Sequence, residues 1–197
     1  DNIAGMVGWE NIIMSTLNTP ANKRFEGMTV QDIAKARGTD PVDCVCDMLI
    51  EENCAITMID FITCEEDIAR ILNCGFASVI SDSIYPTSGR PHPRLYGTYA
   101  RIIQRFVGER RDMTLEAAVK AMTYTPAKAL NIADRGLLKE GLCADVNVFD
   151  PAEVNERGSY ADPDKCAAGM DYVFVNGKPV IAAGELTGGA FGQVIRK

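Results

Sequence analysis

AITMIDFITCEEDIARILNCGFASVIS, residues 55–81, is the stretch on which the fold turns. Ala55–Phe61 is a short, β-prone run of the length of a buried strand. Thr63-Cys64-Glu65-Glu66 caps a helix over DIARILN, and Gly75 stops it. A second apolar run, Ala77-Ser78-Val79-Ile80, follows at once. Strand, helix and strand of this size make one βα unit and the start of the next, which predicts a parallel sheet with helices packed outside it.

Upstream, Thr29-Val30-Gln31-Asp32 has the form of a capping box, and Gly38 ends that helix after Lys35 and Arg37. Asp40-Pro41 supplies an N-cap with proline at the first helical position, leading into VDCVCDMLIEEN. Trp9–Met14 reads as a strand and 18–22 as a loop. Downstream, Tyr99 to Val107 carries a helical apolar stripe, Thr114 caps LEAAVKAMTY, and Thr125-Pro126 starts a short helix, AKAL. From about residue 131 glycines punctuate short alternating runs. Asp145–Phe149 is a strand by period. Asn176-Gly177 between Val173-Phe174-Val175 and Lys178-Pro179-Val180-Ile181 is the strongest hairpin signal in the chain. Pro179 puts the second hairpin strand at an edge or near its end.

The 197 residues carry a net charge of -7, which argues against a nucleic-acid partner. No apolar run has the roughly 20 residues of a membrane span, and the first residues lack the pattern of a signal peptide. Residue 1 is not a methionine, so it need not be the natural start. Seven cysteines without a C-x-x-C pair read as buried thiols of a reduced, cytosolic chain. Cys44 and Cys46 face different sides of their helix and make no joint metal site.

Chemistry concentrates in SVISDSIYPTSGRPHPRLYG, residues 78–97. A carboxylate, Asp82, ends an apolar run. A loop stiffened by Pro86, Pro91 and Pro93 then carries Arg90, His92 and Arg94. On residue type alone Asp82 also reads as a turn cap, and Arg94 as a surface staple. Ser81 and Ser83 have no histidine base nearby in sequence, so a serine nucleophile is a poor reading.

Three segments together carry a resemblance: 81–103 (SDSIYPTSGRPHPRLYGTYARII), 114–151 (TLEAAVKAMTYTPAKALNIADRGLLKEGLCADVNVFDP) and 171–188 (DYVFVNGKPVIAAGELTG). From about Gly27 to the end the chain resembles the C-terminal part of the N-acyl-D-amino-acid deacylases (D-aminoacylases), within the metal-dependent amidohydrolases. The glycine-rich C-terminal pieces are common to that superfamily; PHPRLYGTYAR is particular to the deacylases. The resemblance implies an α/β fold: the C-terminal portion of a (β/α)8 TIM-type barrel followed by a small antiparallel β-sandwich module. Residues 1–130 would be the barrel part, with a helical insert near 29–54, and 131–197 the sandwich part. Ala55–Phe61 and Ala77–Ser81 would be barrel strands seven and eight.

The implied activity is zinc-dependent hydrolysis of N-acyl-D-amino acids to a carboxylate and a free D-amino acid. Asp82 would be the catalytic acid–base and a possible ligand of a second metal. Arg94 would hold the substrate carboxylate, with Ser83 and His92 also in the substrate-binding set. Such a site suits the chemistry: a carboxylate shuttles the proton, an arginine fork fits a carboxylate, and barrel mouths gather such groups. Ser83 stands where the family often has glycine.

Zinc sites of this kind use several histidines, and the chain has one, His92. The other ligands are expected upstream of this chain. A whole barrel needs about 250 residues, so roughly 180 or more are absent. The expectation is therefore a C-terminal fragment of a cytoplasmic enzyme, inactive alone, whose partners are its own N-terminal part and a small substrate. Two alternatives stand beside it: a cyclic-amide hydrolase of the hydantoinase or dihydroorotase type, and a non-catalytic module that needs a partner chain.

Overall fold

A computed structural model describes residues 2–85 and 89–196; Pro86, named above in the stiffened loop, lies outside them. The chain divides into two compact units. The first comprises Asp1–Cys64, Asp82–Tyr96 and Gly158–Lys165, the second Glu65–Ser81, Gly97–Arg157 and Cys166–Lys197.

The first unit opens with a short helix, α1 (Ile3–Val7), and a turn of 3-10 helix over Trp9–Asn11. Strand β1 covers Ile12–Thr16, so the strand read at Trp9–Met14 starts three residues later. Helix α2 (Val30–Arg37) begins where Thr29 accepts from the Asp32 amide, and it ends at Gly38 in the left-handed conformation (φ 69°). Helix α3 (Pro41–Glu51) has its predicted cap, with Asp40 accepting from the Val42 amide. Ile12, Met14 and Leu17 pack with Val30, Ile33, Cys44 and Met48 to form the core.

Strand β2 (Thr57–Asp60) lies within the predicted Ala55–Phe61 run but pairs antiparallel with β1. Helix α4 (Glu65–Leu72), in the second unit, follows as expected. The run Ala77–Ser81 then forms no strand. The parallel pairing expected between these runs is thus corrected: both sheets among the described residues are antiparallel. The physical reason is a choice of partner. β2 satisfies its backbone on β1, through Ile12↔Asp60, Ile13↔Ile59 and Met14↔Met58. Val79 instead gives its amide to the Ala121 carbonyl at 3.0 Å.

Helix α5 (Arg94–Arg101) starts five residues before the predicted stripe and continues as a π-helical segment over Ile102–Glu109. Helices α6 (Leu115–Met122, capped by Thr114) and α7 (Tyr124–Ala129) follow. Ala69, Val79, Ile102, Phe106, Met113 and Ala118 form the main core of the second unit. Its sheet runs β3 (Val146–Phe149), β4 (Met170–Val175), β5 (Lys178–Ala182) and β6 (Glu185–Leu186), in that order and all antiparallel. The Asn-Gly hairpin forms as predicted: Asn176 (φ 51°) and Gly177 (φ 75°) supply the two left-handed residues of its turn. β5 lies between β4 and the two-residue β6, which pairs only with Ile181 and Ala182, so Pro179 sits near the start of β5, outside the part that β6 covers. All seven cysteines are free, but only Cys44 is buried; five are exposed, which corrects the expectation of buried thiols. Among the described residues no helix is long and apolar enough to cross a membrane.

Candidate functional site

The site lies in the first unit, on the loop that leads into α5. Asp82 adopts a left-handed backbone (φ 45°), a conformation that Asp tolerates better than most residues because its short side chain hydrogen-bonds locally. Its Oδ2 lies 2.8 Å from Arg94 Nη2. Ser83 Oγ donates to the Arg94 carbonyl at 3.2 Å. The Arg94 amide donates to His92 Nδ1 at 3.0 Å, which requires that nitrogen to be unprotonated. All four residues nominated from the sequence therefore fall in one connected group. Asp82 and Ser83 touch Arg94 through its side chain and carbonyl, His92 through its amide.

The start of α5 is set locally. Pro91 and Pro93 are buried. The Leu95 and Tyr96 amides bond to the carbonyls of His92 and Pro93, closing the first turn. The His92 ring meets Tyr160 edge-on at 5.2 Å, with Tyr160 Oη 3.5 Å from Nε2. Tyr160 in turn packs edge-on against Phe61 at 4.8 Å. The helix thus begins at Arg94 on a scaffold whose rotamers are held from several sides.

A cleft of about 200 Å³ adjoins this group, lined among others by Ser15, Thr57, Asp60, His92 and Arg94. Ser15 Oγ and Thr57 Oγ1 are 2.7 Å apart across the two strands. Sequence reasoning missed Ser15, Thr57, Asp60 and Tyr160. They come from three separated segments, and nothing local marks them; only the β1–β2 pairing brings Ser15 and Thr57 together.

Elsewhere in the first unit, Glu52 is almost fully buried (3% exposed) and receives the amides of Asn18 and Thr19, the Thr19 hydroxyl and the Asn22 side-chain amide. Burial opposes its charge, but these donors outweigh burial and hold the carboxyl at a pKa of about 2. This network ties the 17–22 segment, which follows β1 directly, to the end of α3.

The implied zinc meets a donor set too small for it. A structural or catalytic zinc needs three or four N, S or O ligands from the protein. Among the described residues no group of three or more His, Cys, Asp or Glu side chains could hold a metal ion. The Asp82 carboxylate faces a guanidinium instead. The described residues do not by themselves fit a zinc ion.

Residues 20–181 match the family model described as "Amidohydrolase family". The chain belongs to the amidohydrolase family. Among curated relatives, this amidohydrolase chain is 37% identical over 165 residues to the N-acyl-D-glutamate deacylase of Alcaligenes xylosoxydans xylosoxydans, covering 84% of the chain and 32% of the relative. It is 35% identical over 173 residues to the D-aminoacylase of the same organism, covering 88% and 34%. Among solved structures it superposes on a D-aminoacylase with a TM-score of 0.83 and 32% identity, over 94% of this chain and 38% of that one. It superposes on the N-acyl-D-glutamate deacylase of Bordetella bronchiseptica, a complex with zinc and a phosphonate mimic of the tetrahedral intermediate, with a TM-score of 0.84 and 34% identity over 100% and 40%. The amidohydrolase chain spans about a third of the length of the curated relatives it matches.

Proposed function

We propose that this amidohydrolase chain is the C-terminal part of a zinc-dependent N-acyl-D-amino-acid deacylase. The enzyme cleaves the linear amide to a carboxylate and a free D-amino acid. In this reading the chain brings the proton-transfer and substrate-gripping groups, and the zinc ligands lie upstream of it. The single observation that carries the reading is the meeting of Asp82 and Arg94 at 2.8 Å beside a cleft that Arg94 itself lines. The names of the relatives, all acting on linear N-acyl-D-amino acids, favour this over a cyclic-amide substrate.

The roles follow from charge and reach. Asp82 takes a proton from the attacking water and returns it to the leaving amine nitrogen as the C–N bond breaks. Arg94 grips the α-carboxylate of the substrate through its guanidinium fork. That carboxylate replaces Asp82 at the guanidinium, so substrate binding itself releases the base. Ser83 and His92 belong to the substrate-binding region as supports of Arg94. The barrel remnant at 1–130, with its insert near 29–54, and the sandwich portion at 131–197 remain part of the proposal. So do a cytosolic setting and a contact of Asp82 with a second metal.

The test is a substrate panel on the zinc-loaded, full-length protein: N-acetyl-D-amino acids against their L-enantiomers and against hydantoins. Turnover confined to the D-amides, and lowered on the order of 10²–10⁴-fold by Asp82→Asn, is the expected outcome. Preferential opening of hydantoins, or no turnover of any N-acyl-D-amino acid, overturns it.

A further inference from the structure

Strand β1 departs from regular pairing at Ser15. Met14 pairs with Met58 and Thr16 with Thr57, which leaves Ser15 as an extra residue. A bulge of this kind takes one residue's backbone out of the ladder and re-aims it. The Ser15 carbonyl accepts from the Arg90 amide at 2.8 Å. The neighbouring residue of the loop is Gly89, at φ 86°. A Cβ on Gly89 would stand 2.5 Å from Thr16 Oγ1 and 2.8 Å from both the Ser15 carbonyl oxygen and Thr16 Cα. Two of those three contacts are backbone and cannot swing aside. Glycine is therefore required twice here, for its φ and for the close approach of two backbones. From this contact the chain runs through Pro91 and Pro93, both buried, directly to Arg94. Few rotatable bonds separate the contact from the guanidinium-bearing residue, because each proline fixes its own φ.

We infer that the Ser15 bulge and Gly89 form a dock that sets the position of Arg94, making Gly89 a positioning residue for recognition of the substrate carboxylate. The inference rests on the reading of Arg94 as the carboxylate grip. Adding a methyl at Gly89 lifts the loop off β1 and moves Arg94 with it. A displacement near 1 Å at a substrate clamp costs on the order of 10²-fold in efficiency. That loss falls on substrates that carry the carboxylate, and it spares those that lack it.

The experiment compares kcat/KM for an N-acetyl-D-amino acid and for its carboxamide, in the zinc-loaded full-length protein. Wild type, Gly89→Ala, Arg94→Ala and the double variant are measured together. The expected result is that Gly89→Ala reduces the carboxylate-over-carboxamide preference about 10- to 100-fold, and that the double variant is no worse than Arg94→Ala alone, as expected of residues acting through one another. Should Gly89→Ala not fold, Arg90→Pro removes the same amide donor without adding a Cβ at 89, while Arg90→Ala keeps the donor as control. In that pair the proline variant is expected to lose the preference and the alanine variant to keep it. An equal loss on both substrates means a merely structural role and overturns the inference, as does an unchanged preference. If Arg94→Ala itself leaves the preference intact, the reading of Arg94 as carboxylate grip is what fails, and the dock falls with it.

Discussion

The Asp82 carboxylate and the Arg94 guanidinium meet at 2.8 Å with side chains that are 70% and 41% exposed. Exposed ion pairs contribute about 0–1 kcal/mol to stability, so this pair does little to hold the fold. Asp82→Asn is therefore expected to leave unfolding within about 0.5 kcal/mol of wild type, while kcat of the full-length protein falls on the order of 10²–10⁴-fold. Denaturant titration and steady-state kinetics on the same preparation check both halves. A large stability loss would make Asp82 a structural residue.

Arg94 offers a planar fork, which lysine cannot copy. Arg94→Lys keeps the charge and loses the bidentate geometry, so KM is expected to rise about tenfold with a smaller change in kcat. Arg94→Ala should raise KM further. Calorimetric binding of the free D-amino acid product gives an independent reading, because the product carries the same carboxylate. Unchanged product affinity in both variants would remove Arg94 from the binding site.

What is legible in the sequence is what neighbouring residues decide. The caps at Thr29, Asp40 and Thr114 and the Asn176-Gly177 turn depend on residues within a few positions of one another, and all four form as read. Asp82 and Arg94 stand out in the sequence because loop chemistry is also local. Pairing partners are not local: Thr57–Asp60 has the composition of a strand, but nothing in it states that Ile12–Thr16 lies beside it. Glu65 shows the same limit. It reads as a favourable charge at the start of α4, yet it receives Arg101, Arg105 and Arg110 at 2.9, 2.8 and 3.2 Å from a distant helical segment. Ser15 carries no mark in the sequence because a bulge is a property of two strands.

The Glu52 network predicts an acid-sensitive loop. Its carboxyl titrates at about 2 in the fold and at about 4.3 in an unfolded chain. A depressed folded value means that the stabilisation is complete above the unfolded pKa and is lost as pH falls from there towards 2. Glu52→Gln removes the charge that four donors face, at an expected cost of about 1–3 kcal/mol, and flattens that acid limb. Hydrogen exchange at residues 17–22 should accelerate in the variant at neutral pH. Protection equal to wild type would show that the segment is held by other contacts.

In the second unit, Asn176 combines a left-handed backbone with two side-chain bonds. Its side-chain amide donates to the Phe191 carbonyl at 2.6 Å, and its side-chain oxygen accepts from Arg135 at 2.7 Å. Asn176→Gly keeps the backbone conformation and loses the side-chain bonds. Asn176→Ala loses both, so it is expected to be the more damaging, at about 1–3 kcal/mol. Chemical denaturation of the two variants ranks them. A glycine variant as unstable as the alanine one would assign the whole effect to the side chain.

Metal retention separates a site within this chain from ligands supplied upstream of it. No group of three His, Cys, Asp or Glu side chains among the described residues could hold an ion, and zinc held tightly needs three or four protein ligands. Residues 1–197 expressed alone, loaded with zinc and dialysed against a weak chelator, should retain well under one equivalent by elemental analysis. The full-length protein, treated identically, should retain at least one. Free exposed cysteines such as Cys54 and Cys74 are the obvious source of adventitious binding, so a variant with both replaced by serine serves as control. One equivalent that survives dialysis in that control, and is lost on Asp82→Asn, would mean that the chain carries a metal site of its own and that the ligands do not lie upstream.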